Sequence, residues 1–166
     1  MRDLFRLHQK PTLRPLEQIY GYPIKTTEQK VNVIQDIIQK LRSEGNYYYP
    51  LVEKDRLKIP SNFENFINFL KSKYKTEKQE TFTHPYWFNK FGGDCDCQTI
   101  YFLSHLDFLP DFVRKSNVEI LILSNFSGGR RFYHITQSFD ANIIDCLPYP
   151  IPIGTKLEKK FNLRGI

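Results

Sequence analysis

The sequence predicts an α+β fold, with helices first and a small antiparallel sheet after them. Two runs in the first half, 26–45 and 61–74, place apolar residues three and four apart. The run VEILILSN at 118–125 is dense in β-branched and aliphatic residues. RFYHITQ and NIIDCL flank the short segment SFDA, which is a hairpin signal.

Taken in order, residues 26–45 form a helix with Val31, Ile34, Ile37, Ile38 and Leu41 on one face. Thr26 or Thr27 caps its start, and Gly45 stands where a helix turns off. NYYYPLVEKDRLKIP is a Tyr- and Pro-containing connector. Residues 61–74 form a second amphipathic helix that buries Phe63, Phe66, Ile67 and Leu70, with Ser61 as N-cap and Glu64 completing a capping box. A loop rich in His, Pro and aromatics leads to a third helix at 97–109. Strand 118–125, the SGGR turn and the hairpin follow. PYPIPIG cannot continue a central strand and leads into a basic tail. The expected organisation is a basic arm at 1–24, one domain at 25–150, and a Pro-rich then basic tail at 151–166.

The chain has 166 residues, enough for one domain with a real core. Hydrophobic residues make up 40%, including 14 Phe and 10 Tyr, which places it among globular chains. No apolar run approaches a membrane span, and the first residues lack the apolar region of a secretory signal. Three cysteines, an odd count, argue for free thiols in a reducing cytoplasm. The net charge of +6 is confined to the ends. Arg2, Arg6, Lys10 and Arg14 against Asp3 give +3, and Lys156, Lys159, Lys160 and Arg164 against Glu158 give +3. Such ends either solvate the chain or dock on acidic surfaces. No helix presents a basic stripe, so nucleic acid is not expected as a partner.

Chemistry concentrates in KFGGDCDCQTIYFL at 90–103. Cys95 follows Gly92 and Gly93 and sits just before a helix. Amide N–H groups and the positive helix end favour a thiolate there, and the glycines are expected to leave space beside the sulfur. The plain alternative is a small buried thiol packed as an apolar group. Zinc held by Cys95, Cys97, Cys146 and a histidine fits poorly, because C-x-C is not the usual ligand pair. No metal or other cofactor is expected. Of the four histidines, His134 lies within a strand, where its position is rigid. A hairpin centred between Phe139 and Asp140 would place Asp145 directly across from His134. A one-residue slip would send Asp145 to the other face. The residue set Cys95, His134, Asp145 has the order and types for nucleophilic acyl transfer.

GGDCDCQTI opening a helix, followed by FYHITQ and IIDCLP, resembles the transglutaminase-like cysteine peptidases. It is most similar to a branch common in tailed-phage genomes with a Gly-Asp-Cys-Asp-Asp motif. LRSEG at 41–45 and FENFINFLKSKY match the helices that precede the motif, so the resemblance covers roughly residues 25–150. It implies a papain-like fold with Cys95 at a helix N-terminus packed on a small antiparallel sheet. It also implies a Cys95, His134, Asp145 triad. The chain departs from the pattern at Cys97, where the family has a second Asp, and at HITQ, where many members show HVW or HAW.

These expectations define a mechanism. Cys95 attacks a carbonyl, His134 shuttles the proton, and Asp145 orients the imidazole. The Cys95 N–H and one of Trp87, Asn89 or His84 hold the oxyanion. Asp94 and Asp96 are expected to point away from the sulfur, one of them capping the helix. The expected function is a phage-type thiol protease or amidase acting on a protein or peptide. The alternatives are a transglutaminase-type crosslinker, or a virion structural or scaffold protein that keeps the fold. The resemblance implies synthesis in a bacterial cytoplasm and association with the virion, with other virion proteins as partners of the basic ends.

Overall fold

The computed structural model describes residues 13–15, 25–43, 51, 53–76, 81–83, 85–127 and 129–164. The class is α+β, as the sequence predicts. Strand β1 (Leu13–Pro15) pairs with β2 (Thr81–Thr83). Helix α1 (Thr27–Ser43) is followed by a short α2 (Glu53–Arg56) and by α3 (Phe63–Ser72). Next come α4 (Pro85–Phe91), α5 (Cys95–Ser104), a 3₁₀ turn (Leu106–Phe108) and α6 (Asp111–Arg114). Strands β3 (Val118–Ser127), β4 (Arg130–Phe139), β5 (Asn142–Ile143) and β6 (Lys156–Asn162) form an antiparallel sheet in the order β5-β4-β3-β6.

Helix α1 forms where the 3.6-residue pattern predicts it, and Val31, Ile34, Ile37, Ile38 and Leu41 are fully buried. Each such side chain contributes about 1.5–3 kcal/mol when removed from water. The Gln29 Oε1 accepts from the N–H groups of Lys25 and Thr26, closing the helix start. Gly45 lies outside the described residues. In α3 the cap differs from expectation. Asn62 is the N-cap and makes no side-chain cap bond, while the Ser61 hydroxyl donates back to the Lys58 carbonyl. The chain turns through Lys58–Asn62 before the helix, so the Ser61 hydroxyl faces the preceding turn.

Helix α5 is buried along its length, with Cys95 at its head partly buried, so it is a central helix of the fold. It packs against α1, α4 and β4. The sheet turns Val118, Ile120, Ile122, Ile135 and Phe139 toward this helical core. The β3–β4 register, Leu123 opposite His134 and Leu121 opposite Thr136, places those four residues on the other face.

The β4–β5 hairpin turns at Asp140 and Ala141, which have φ of 49° and 66°. Two successive left-handed residues match the twist of the flanking strands. The turn is pinned from outside, because the Asn117 N–H donates to Asp140 Oδ1 at 2.8 Å. The basic C-terminal segment is not a free tail. Residues Lys156–Asn162 pair with β3 as an edge strand, and lysines at an edge discourage further strand pairing. Its cations meet acids of the same chain: Lys159 pairs with Glu28, Lys160 with Glu119 at 3.7 Å, and Arg164 with Asp36 at 3.0 Å. The basic cluster at residues 1–14 falls outside the described residues apart from the backbone of Leu13 and Arg14. Among the described residues no helix is long and apolar enough to cross a membrane.

Candidate active site at the head of the central helix

The site is built where α5 meets the open edge of β4. Strand β5 is only two residues long, and its pairing extends to the Ile144 N–H, which donates to the Gln137 carbonyl at 3.4 Å. In an antiparallel strand, alternate residues direct their main-chain groups to the same side. Ile135, two residues before Gln137, therefore has its N–H and carbonyl on that side with no strand to receive them. Helix α5 takes the place of the strand. Thr99 Oγ1 donates to the Ile135 carbonyl at 3.5 Å, and the Ile135 N–H is directed at the Cys95 thiol. Cys95 and Thr99 are four apart and so share one helix face.

Asp94 is the N-cap of α5, and its carboxylate accepts from the N–H groups of Asp96 at 3.1 Å and Cys97 at 3.4 Å. That capping role matches expectation. Asp96 does not point away. Its Oδ1 accepts from the Cys95 thiol at 3.7 Å, and its Oδ2 meets Lys30 Nζ at 2.7 Å, nearly buried. This overturns the expectation that both carboxylates point away, and it works against a thiolate. Burial first, then the charges of Asp96 and Asp94, push the Cys95 thiol well above its usual range. The Ile135 N–H and Lys30 pull the other way and do not prevail.

The glycines also serve a purpose other than the expected one. Gly92 has φ of 65°, and a Cβ there would lie 2.2 Å from the Lys73 carbonyl oxygen. A Cβ on Gly93 would lie 2.4 Å from Cys97 Cβ and 2.9 Å from its sulfur. The pair lets the segment Lys73–Lys75 run alongside, with the Gly93 N–H donating to Lys73 O at 3.1 Å and the Lys75 N–H to Gly93 O at 2.8 Å. It fixes the helix start by close packing, and the missing Cβ of Gly93 is filled by Cys97 rather than left open beside Cys95. Cys97 and Cys146 are buried and not in a disulfide. Among the described residues no three His, Cys, Asp or Glu side chains gather as a metal site.

His134 and Asp145 are brought together. His134 Nε2 lies 2.6 Å from Asp145 Oδ1, with side-chain exposures of 3% and 17%. The register that joins them differs from the expected one by two residues. Ser138 pairs with Ile143 and Phe139 with Asn142, so the continued register sets Asp145 beside Thr136. Thr136 Oγ1 donates to the same Oδ1 at 2.8 Å. A two-residue offset keeps every side chain on its face, so His134 becomes the diagonal neighbour and stays within reach. Burial tends to raise the Asp145 carboxyl, but the bonds from His134, Thr136 and the Leu147 N–H outweigh it and hold the group below its usual range.

Cys95 and His134 are not hydrogen-bonded to each other. The thiol lies against the main chain of Ile135, the residue next to His134. The imidazole commits Nε2 to Asp145, so Nδ1 is the nitrogen left for proton exchange. Of the oxyanion candidates, His84 and the side chains of Trp87 and Asn89 lie outside the described residues.

Four neighbours were not read from the sequence. Lys30 carried a signal: it occupies the apolar stripe of α1 with Ile34, Ile37 and Leu41, where a charge demands a partner. Thr136 follows His134 at the same-face spacing of two. Tyr74 and Tyr149 carried none. Their hydroxyls lie 3.4 Å apart and their rings cross edge to face at 5.9 Å. Tyr149 lines a pocket of about 430 Å³ together with Asp145, Lys71, Leu147 and Ile151. Comparison of the chain with protein-family models, curated proteins and solved structures gives no match.

Proposed function

We propose that the chain is a cysteine acyl-transfer enzyme, a thiol protease or amidase of the phage-type transglutaminase-like kind, acting on a protein or peptide amide. The observation that carries the reading is the His134–Asp145 pair at 2.6 Å, on the strand whose next residue lies against Cys95. His134 Nδ1 takes the thiol proton as the sulfur bonds to the carbonyl carbon. The tetrahedral adduct collapses, the C–N bond breaks, and His134 returns the proton to the leaving amine. Water then attacks the thioester, restoring the thiol and releasing the acid. Asp145 holds the Nε2 proton and stabilises the imidazolium. A thiol that rests protonated fits base assistance during attack rather than a standing ion pair.

A specific observation favours a second reading. The thiol hydrogen bond goes to Asp96 rather than to His134, and burial holds the sulfur protonated. A virion structural protein that retains the fold would tolerate both.

The test is incubation with a mixture of casein peptides and dansylcadaverine, read by mass spectrometry against Cys95→Ala. New peptide termini mark hydrolysis, and dansylated glutamines mark crosslinking. Identical peptide maps for the native protein and Cys95→Ala would favour the structural reading.

A further inference from the structure

We infer that Asp96 and its counter-ion Lys30 are a positioning pair that keeps Cys95 a thiol in the free protein, so that the nucleophile forms only when a base acts on it. The inference rests on the acyl-transfer reading for its purpose, but its physical content is independent of substrate. Asp96 Oδ1 accepts the thiol hydrogen at 3.7 Å, and Asp96 Oδ2 meets Lys30 Nζ at 2.7 Å. The Asp96 side chain is 3% exposed and Lys30 is 14% exposed, so water screens neither strongly. Lys30 comes from α1, in the same apolar stripe as Ile34, and reaches the helix start from across the core.

The groups facing the sulfur can be ordered by what balances them. Asp94 spends its carboxylate on the helix N–H groups. Asp96 gives one carboxylate oxygen to the thiol and the other to Lys30. The thiol therefore meets the carboxylate before it meets the cation. Tyr74, whose backbone bridges to Gly93, is a neutral neighbour on the side of α3. His134 and Asp145 form their own pair on β4 and the segment after β5. Removing the Asp96 charge alone would leave Lys30 facing the thiol and favour the thiolate. Removing both charges would give an intermediate case, still easier to ionise than the native site.

The experiment is the rate of iodoacetamide alkylation at each cysteine from pH 6 to 10, resolved by peptide mass spectrometry. It compares the native protein, Asp96→Asn, and Asp96→Asn with Lys30→Met. For Asp96→Asn the Cys95 profile is expected to move down by at least about one pH unit. A thiolate of lower pKa is a weaker nucleophile, so the rate at pH 8 should rise about threefold rather than tenfold. The double variant should fall between Asp96→Asn and native. Cys97 and Cys146, both buried, serve as internal standards. If Asp96→Asn speeds all three thiols, the fold has loosened and the double variant, which removes both charges together, decides. A Cys95 rate in the deciding variant at or below the native rate overturns the inference. Alkylation reports the thiol whether or not the protein transfers acyl groups, so failure here is distinct from failure of the proposed function.

Discussion

Replacing Asp145 separates its geometry from its charge. Asp145 Oδ1 accepts from His134 Nε2 at 2.6 Å and from Thr136 Oγ1 at 2.8 Å, and Oδ2 accepts from the Leu147 N–H at 3.3 Å. Asp145→Ala removes all three acceptors. His134 and Thr136 are buried, so their donors lose partners that water cannot fully replace, at about 1–3 kcal/mol each. The Leu147 N–H loses its acceptor as well. The expected loss is about 2–5 kcal/mol. Asp145→Asn keeps one acceptor oxygen for His134 and Thr136 but sets an amide N–H group against the Leu147 N–H, so it loses that acceptor and the charge assistance, about 1–2 kcal/mol. Urea unfolding monitored by tryptophan fluorescence and circular dichroism measures both, with the slope held constant across variants. The Ala variant should also melt about 5–15 °C below native. Equal costs for Ala and Asn, or a cost below about 1 kcal/mol for Ala, would refute the three-acceptor geometry.

Three further outcomes are expected. Gly93→Ala forces a Cβ against Cys97 at 2.4 Å and should cost about 1–3 kcal/mol by thermal melt, while a neutral result would mean that the helix start is loosely packed. Ala141→Gly relieves a left-handed φ of 66° and should stabilise by about 1 kcal/mol, and a loss of stability would contradict the turn conformation. His105 is fully buried, and desolvation lowers it from 6.5 to about 4, so below pH 6.5 the unfolded chain binds a proton that the folded one refuses. Stability should therefore fall as pH drops from about 6.5 to about 4, by about 3 kcal/mol in all, and His105→Phe should flatten that slope. An unchanged slope in His105→Phe would assign the acid sensitivity elsewhere.

The parts of the fold that were legible are those where one local signal decides. Helix α1 announces itself through a complete apolar stripe, and the β4 strand through the hairpin signal that follows it. The pairing of His134 with Asp145 was anticipated from a register two residues off, and it survived because the pleat repeats every two residues. The last strand was not legible. β6 is exposed along nearly its whole length, so KLEKKFN shows no buried alternation, and its place is set by the free edge of β3. The Ser61 cap failed because the preceding turn directs the hydroxyl backward. The protonation of Cys95 was not legible because it depends first on burial of the sulfur and then on how Asp96 turns. That turn is fixed by Lys30, far away in sequence, and a helix-end argument cannot include it.

The central claim is that Cys95 accepts an acyl group with His134 as its base. Its most direct test is the burst of p-nitrophenolate from p-nitrophenyl acetate at pH 7.5, with intact mass recording the acetylated protein. The expected result is about one equivalent released, the acetyl group on Cys95, no burst in Cys95→Ala, and a burst slowed at least about a hundredfold in His134→Ala. A burst that is absent, that acetylates Cys97 or Cys146 equally, or that is unchanged in His134→Ala would contradict it.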